Sequence, residues 1–301
     1  MIMSSEWLGW RTHLVMPFFD AAFRRTPESP ALEKHARSYP GSVAESDQAA
    51  RQASIAGFAV DGDWQRRRIL AGALDRQDNF ARLLGIRIAS ARRLDRDGEW
   101  PRGRFVALGL HWGAGFPVLE HMLDSGHQPA FVYRPENPAD LGCTPHRIFD
   151  RLHLRALRGF GHCIPVGGAY RRIVDALDAG RVPVVLFDAP PGPSSRVVRL
   201  ERSCGEIILR VGLFRLLAEK QVPVVFFRCG QQVGARRRRL EIGPVVAAGQ
   251  ADELAARAAD YLLETLDVDS AQWHLWPVAD QVIGKSVRPD EPEPGAREAR
   301  S

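Results

Sequence analysis

The sequence predicts an α/β fold, in which a central sheet, mostly parallel or mixed, is flanked by helices on both faces and preceded by a helical region. From residue 101 onward, short segments that are apolar throughout alternate with amphipathic ones. Such apolar segments are typical of strands that are buried on both faces of a sheet. Before residue 101 the apolar residues recur at helical spacing. We therefore expect a helical N-terminal region at 1–100, packed on or preceding an α/β domain at 101–284.

Three helices are predicted in the N-terminal region. The first, at 7–23, is aromatic and amphipathic and is followed by two arginines. It either packs on the following domain or lies in a membrane interface, with peripheral contact through residues 7–25. The other two, at 49–59 and 64–84, follow from apolar residues spaced three and four apart.

The alternation after residue 101 gives the elements of the α/β domain. The predicted strands lie at 105–110, 130–133, around Ile164, 182–187, 222–227 and 238–242. The predicted helices lie at 118–123, 148–160, 170–178, 206–219 and 252–266. The tail at 285–301 is rich in proline and charge and has too few apolar residues to bury, so we expect it to be disordered.

The basic character of the chain comes almost entirely from arginine. The formal net charge is +5, and guanidinium groups suit phosphate, carboxylate or anionic lipid partners. Two basic runs are either solvated surface or a contact surface for an acyl carrier protein or a lipid; they comprise Arg66, Arg67, Arg68, Arg236, Arg237 and Arg238. No aromatic residues are interleaved with these runs, so nucleic acid is not an expected partner.

Composition also indicates where the chain acts. No stretch reaches the roughly 18 apolar residues of a spanning helix, and the N-terminus lacks the pattern of a signal peptide. We expect a cytoplasmic protein, with or without peripheral attachment to the inner face of the cytoplasmic membrane. The four cysteines are scattered, and no metal site or bound cofactor is predicted.

His111 stands where the first apolar strand of the domain ends in a turn that contains Gly113 and Gly115. A histidine there can accept a proton from a substrate at neutral pH, and the glycines leave room for that substrate. The alternative is a structural histidine held by hydrogen bonds at a strand end. In α/β sheets, active sites collect beyond the carboxyl ends of the strands, and Asp188 follows another such strand.

A third strand, at 130–133, ends on Arg134, with Glu136 two residues later. Arg134 either binds an anionic substrate group in a bidentate contact or forms a strand-end salt bridge with Glu136. Asp188 lies before a rigid proline turn, where it either orients a histidine or caps the loop.

Taken in order, these segments resemble the lysophospholipid acyltransferase-like superfamily, and within it the bacterial lipid A late acyltransferase (lauroyl/myristoyl transferase) branch. The resemblance covers about residues 100 to 280. The matching segments are the histidine turn at 110–116, Tyr-Arg-Pro-Glu-Asn-Pro at 133–138, Leu-Asp-Ala-Gly at 177–180, Leu-Phe-Asp at 186–188, and Gln-Trp-His-Leu-Trp at 272–276.

The resemblance implies acyl transfer from an acyl carrier protein or coenzyme A thioester to a hydroxyl or amine of a lipid or sugar-lipid acceptor. No cofactor beyond the thioester is implied. His111 would be the general base, with Arg134, Glu136 and the two glycines of its turn at the substrate.

The chain departs from the branch in two places. The branch has an acid five residues after its histidine, where this chain has Phe116, and phenylalanine accepts no hydrogen bond from imidazole. Either Glu120, Glu136 or Asp188 replaces that acid, or the protein is a catalytically silent relative that binds an acyl chain or a partner enzyme. The second departure is the aromatic segment at 7–23, which stands where the branch has a membrane span.

Overall fold

The fold is that of a computed structural model, which describes residues 42–83, 93–134, 161–192, 195–231 and 237–284, together with Arg37 and Gly159. The segment predicted at 7–23 and the tail at 285–301 lie outside the described residues. So does the helix predicted at 148–160, apart from Gly159. Glu136 and Arg236 also lie outside them.

The described elements follow the predicted alternation, with three additional strands before residue 211. The helices are α1 (Ser42–Ile55), α2 (Gly62–Leu83), α3 (Phe116–Asp124), α4 (Ala169–Asp178), α5 (Val211–Glu219) and α6 (Ala251–Asp269). The strands are β1 (Arg93–Asp97), β2 (Val106–Gly109), β3 (Pro129–Tyr133), β4 (His162–Pro165), β5 (Val182–Leu186), β6 (Val197–Arg202), β7 (Gly205–Arg210), β8 (Val224–Gln231), β9 (Arg237–Val246) and β10 (Ile283–Gly284). Two 3-10 helices, Ser270–Gln272 and Trp276–Gln281, follow α6.

Seven strands form the central sheet, in the order β1-β9-β8-β2-β5-β3-β4. All neighbours are parallel except β8 and β9, which pair antiparallel. The α/β fold with a mostly parallel sheet is therefore confirmed. The strands β7, β6 and β10 form a second, antiparallel sheet.

Alternate residues of β2 explain why its sequence is apolar throughout. Val106 and Leu108 belong to one hydrophobic core, which also contains residues of α4, α5 and α6. Ala107 belongs to a second core, which contains residues of α3. The sheet is thus covered by helices on both faces, as predicted. Among the residues that the structure describes, no helix is both long and apolar enough to cross a membrane.

The helix predicted at 206–219 is wrong in its first part. Residues 205–210 form β7, which pairs with β6 in a hairpin, and the helix begins only at Val211. Ile207 and Leu209 are buried in the core on one side of β7. A short apolar run fits a strand or a helix equally well by periodicity, so the sequence pattern did not separate the two.

The strand β1 was also not predicted, because its sequence is almost entirely charged. It pairs in parallel with β9 at the edge of the sheet. Ion pairs cross this edge from Asp95 to Arg237 at 3.3 Å and from Asp97 to Arg239 at 3.2 Å. Part of the segment predicted to be helical therefore contributes to the central sheet, while the domain division at residue 100 stays a prediction.

Candidate active site

Two parallel neighbours, β2 and β5, bring His111 and Asp188 together. Gly109 lies opposite Leu186 in the register of these strands, so the residues two positions later meet beyond the same edge of the sheet. His111 Nδ1 is 2.8 Å from Asp188 Oδ1. The backbone N–H of His111 also donates to both carboxylate oxygens, at 3.1 and 2.9 Å.

This contact determines which nitrogen of His111 is available to a substrate. A carboxylate only accepts hydrogen bonds, so Nδ1 carries the proton and Nε2 has a free lone pair. Burial lowers the pKa of His111, whereas the charge of Asp188 and its hydrogen bond to the ring raise it. The two effects of Asp188 together outweigh burial, so the pKa lies above its ordinary value. About a third of the His111 side chain, 34%, is exposed, whereas that of Asp188 is fully buried.

Asp188 is held from a second side by the indole of Trp273. Its Oδ2 accepts a 2.8 Å hydrogen bond from Trp273 Nε1. Together with the two N–H groups of His111, this gives a buried carboxylate three donors, which offset the cost of removing it from water. The ring of His111 therefore has a fixed orientation.

The segment that contains Trp273 also holds the backbone of the His111 turn. The N–H of His274 donates to the carbonyl of His111 at 2.7 Å, and the N–H of Gly113 donates to the carbonyl of Gln272 at 3.1 Å. His274 Nε2 is 2.7 Å from the carbonyl oxygen of Gly113, so this nitrogen carries the proton. Burial, followed by the charge of Arg68, lowers the pKa of His274 to about 4.

Two members of the first basic run contact this same segment. Arg68 Nη1 donates to the carbonyl of Trp273 at 2.7 Å. Arg67 forms ion pairs with Asp63 and Asp269, the latter at 3.3 Å. The helix α2 thus supports the segment behind the site, a role the sequence did not predict. A lipid or carrier surface formed with Arg66 stays a prediction.

The second basic run is only partly at the surface. Arg238 is 2% exposed, so its assignment to a contact surface is wrong. The strand β9 alternates its side chains, and Arg238 lies on the face opposite to Arg237, which is exposed. A run of consecutive arginines in a strand cannot present every member to solvent.

An apolar pocket lies beside the His111 turn. Its enclosed volume is small, about 20 Å³, and its lining includes Phe131, Val184, Leu186, Phe227 and Leu119, together with Leu110, Trp112, Ala114 and Gly115 of the turn. A lining of this kind suits an apolar group.

The two glycines of the turn have different roles. Gly113 has a φ of 64°, and a Cβ there would lie 2.1 Å from the carbonyl oxygen of Cys229. The turn therefore packs directly on the backbone of β8, where Ala114 also donates to that carbonyl. A Cβ at Gly115 would meet nothing within 4 Å, so this side of the turn is open.

Of the two considered acids that the structure describes, Asp188 and Glu120, Asp188 is bonded to the ring of His111. Glu120 is buried on α3, one turn after Phe116. Phe116 is 4% exposed and belongs to the second core, with Trp100, Phe105 and Phe227. The side chain that replaces the acid of the family pattern thus completes an apolar cluster.

Arg134 is exposed at the residue after β3, beyond the same edge of the sheet. Arg210, at the end of β7, was missed by the sequence analysis because its strand was taken for a helix. Its Nη2 donates to the carbonyl of Pro190, two residues after Asp188. Among the described residues, no group of three or more His, Cys, Asp or Glu side chains could hold a metal ion.

Comparison with known proteins finds no matching family model and no matching curated protein. A solved structure that is similar is that of the 1-acyl-sn-glycerophosphate (LPA) acyltransferase PlsC from Thermotoga maritima. The similarity covers 73% of this chain and 97% of that chain, with 12% sequence identity and a TM-score of 0.31. A TM-score this low carries no conclusion about activity, and the geometry of the site is the basis for assigning a function.

The buried His274 makes stability depend on pH. Because its pKa is about 4 when folded and 6.5 when unfolded, the unfolded state binds the extra proton between these values. The free energy of unfolding should then fall by up to about 3 kcal/mol as pH falls from 6.5 to 4. The raised pKa of His111 affects stability in a different pH range. The free energy of unfolding falls as pH rises from 6.5 through the pKa of His111 in the folded protein.

Urea unfolding of His274→Gln and the wild type between pH 4 and 7 measures this effect. Glutamine keeps an N–H for the carbonyl of Gly113 but does not titrate, so the pH dependence of the variant should be flatter. His162→Gln, at an exposed strand position, is the matched control and should follow the wild type. Parallel curves for His274→Gln and the wild type would refute the assignment.

Placing an acid at the position of Phe116 should lower the stability of the folded protein. A carboxylate would be placed among the aromatic side chains of the second core without a partner there. We expect Phe116→Glu to lower the free energy of unfolding by roughly 3–5 kcal/mol. Phe116→Leu, which stays apolar, should cost less. Equal stability of Phe116→Glu and the wild type would show that the position tolerates the acid.

Proposed function

We propose that this protein is an acyltransferase. It moves a fatty or other acyl group from the thioester of an acyl carrier protein or coenzyme A to a hydroxyl or amine of a lipid or sugar-lipid acceptor. The observation that carries the proposal is the 2.8 Å contact between His111 Nδ1 and Asp188. It leaves Nε2 as a base beside a small pocket with an apolar lining.

The reaction follows from this arrangement. The acceptor O–H or N–H donates to His111 Nε2, which takes the proton as the acceptor atom attacks the thioester carbonyl carbon. The tetrahedral intermediate then expels the thiolate by breaking the C–S bond, and the thiolate takes the proton from Nε2. Asp188 keeps the ring in the required tautomer and stabilises the imidazolium between these steps. General base catalysis of this kind contributes about 10²- to 10⁴-fold in rate.

The apolar pocket supports an acyl group as the transferred unit. Each methylene that leaves water contributes about 0.8 kcal/mol, and the pocket begins at the residues on either side of His111. An acyl chain in the pocket would therefore have its carbonyl carbon near the His111 turn, where Gly115 leaves space. The apolar lining thus supports an acyl group as the bound unit, and the histidine supports the chemistry.

A catalytically silent acyl-binding protein is the alternative to this proposal. Phe116 was the reason to consider it, because the family's acid is missing at that position. Asp188 argues against this alternative, since it supplies a buried carboxylate to Nδ1 of His111.

The acceptors proposed here are lipids, so the protein would work at a membrane surface. Peripheral contact through residues 7–25 on the inner face of the cytoplasmic membrane remains a proposal. It is independent of the chemistry at His111.

Replacing His111 tests the proposal directly. Purified protein is incubated with acyl carrier protein and coenzyme A thioesters and with lipid hydroxyl and amine acceptors, and both thiol release and acylated product are measured. His111→Ala should lower the rate by about 10²- to 10⁴-fold. The control His162→Ala should keep the wild-type rate. Equal activity of His111→Ala would refute the base, and a wild type without turnover would support the silent alternative.

Asp188→Asn tests the role of the carboxylate. An amide neither holds the required tautomer nor stabilises the imidazolium, and the rate should fall by about 10³- to 10⁴-fold. The wild-type kcat/KM should rise with pH through the raised pKa of His111, because only the neutral ring is a base.

The residual activity of Asp188→Asn should have its midpoint at lower pH, since the charge that raises the pKa of His111 is gone. Asp178→Asn, which changes an exposed aspartate paired with Arg104, is the matched control. Identical pH midpoints for Asp188→Asn and the wild type would contradict this role.

A further inference from the structure

We propose that two copies of this chain form a dimer by pairing their β6 strands antiparallel, which joins the two small sheets into one continuous sheet. This interface goes beyond the acyl transfer proposed above and does not rest on it. Three features of β6 support it: the backbone groups along its outer edge, the charges on its exposed face, and the apolar residues on its other face.

The strand β6 is the outer strand of the second sheet. It pairs with β7, whose other neighbour is β10, and no strand in the described part of the chain pairs with its outer edge. An unpaired strand edge carries a row of N–H and C=O groups that can pair with another chain. The second sheet can therefore be extended at β6 by a strand from outside the chain.

The hydrogen bonds between β6 and β7 determine which backbone groups face outward. The N–H of Val211 donates to the carbonyl of Arg196 at 3.1 Å, and these residues continue the register of the two strands. Because bonded pairs alternate along an antiparallel ladder, the next residues that bond to β7 are Val198, Leu200 and Arg202. The groups that face the outer edge are those of Val197, Arg199 and Glu201.

One of these outward groups already has a partner. The carbonyl of Glu201 accepts a 2.8 Å hydrogen bond from Arg202 Nη1. A carbonyl oxygen has two lone pairs, so it can accept a second hydrogen bond from an N–H of an incoming strand. The outer edge thus stays able to pair along its whole length.

The exposed face of β6 has a negative charge that the chain does not balance. Glu201 lies directly opposite Glu206 of β7, and like charges in opposite positions destabilise a sheet. Glu206 is paired with Arg199 at 3.1 Å. Among the described residues, no lysine or arginine side chain pairs with the carboxylate of Glu201. A cation on an added strand would remove this imbalance.

A second copy of β6 supplies that cation at the right position. With a two-fold axis at Leu200, Arg199 lies opposite the partner's Glu201, and the symmetry repeats this pair. Both residues of the pair have their N–H and C=O groups at the outer edge, as a bonded pair requires. Sliding one strand by two residues would place Arg199 opposite the partner's Arg199, or Glu201 opposite the partner's Glu201. The charges therefore select one register.

The other face of β6 offers an apolar contact in the same register. Val198 and Leu200 are only partly buried and pack at the side of the larger core. At the axis, Leu200 and the partner's Leu200 would form a non-bonded pair, whose Cα atoms approach to about 4.5 Å. Each would cover exposed apolar surface of the other. Six residues from each copy form a small interface, so we expect a dissociation constant in the micromolar range.

Sedimentation equilibrium of the full chain, over a series of concentrations through the micromolar range, tests the dimer. The wild type should dimerise. Arg199→Glu and Glu201→Arg each turn two opposite-charge pairs into like-charge pairs and should weaken the dimer by about tenfold or more. The double variant R199E/E201R restores opposite charges and should recover the wild-type constant. Arg171→Glu, at an exposed position of α4, is the matched control and should dimerise as the wild type does.

Glu201→Arg separates the dimer contact from the folding of the monomer. It removes the like-charge pair with Glu206, so the monomer should be at least as stable to urea as the wild type while the dimer weakens. Arg199→Pro tests the backbone instead of the charge. It removes an N–H that faces the outer edge and keeps the hydrogen bonds to β7, and it should leave the protein monomeric.

Three results would overturn the dimer: a wild type that is monomeric throughout the series, a dimer that neither single charge reversal weakens, or a double variant that stays as weak as the single ones. The last result would exclude the register on which the proposal depends. His111→Ala should dimerise as the wild type does, because His111 lies outside the interface. Failure of the dimer and failure of the proposed acyl transfer are therefore seen in different measurements.

Discussion

The hydrogen bond between Asp188 and His111 is the contact on which the rest of the site depends. A fully buried carboxylate is stable only if its oxygens are paired, and here the backbone and ring of His111 and the indole of Trp273 pair them. The same contacts fix the tautomer of the ring. One interaction therefore pairs a buried charge and orients the ring of His111, and its geometry is set by the register of β2 and β5.

Two further groups of hydrogen bonds hold the residues around this contact in place. Behind His111 and Asp188 lies the segment with Trp273 and His274, which donates to the carbonyl of His111. Behind that segment lies α2, where Trp64 Nε1 donates to Ser270 at 2.8 Å and Arg68 caps the carbonyl of Trp273. The orientation of one imidazole thus depends on residues more than 150 positions apart in the chain, and the helices before the sheet contribute to it.

The sequence predicted the features that depend on the local pattern of apolar and polar residues. It did not predict the features that depend on which strands pair in the sheet. Apolar strands that end on polar residues located His111 and Asp188 at one edge, because parallel strands share that edge. Choosing Asp188 over Glu120 required the order of the strands, which no local pattern contains. The strand β7 was not predicted, because its short apolar run fits a helix as well as a strand. Arg210 was missed with it, and the burial of Arg238 on β9 was not predicted, since both environments follow from strand pairing.

Phe116 stands where the acyltransferase branch that the sequence resembles has an acid, so the contact between His111 and Asp188 depends on strand pairing instead of one turn. An acid five residues after the histidine would share one turn with it, and its geometry would follow from that turn. Here the acid comes from a neighbouring strand, so the hydrogen bond lasts only while β2 and β5 keep their register. Phe116 meanwhile packs in the core that covers one face of those strands. Phe116 thus helps to hold the sheet that places Asp188 beside His111.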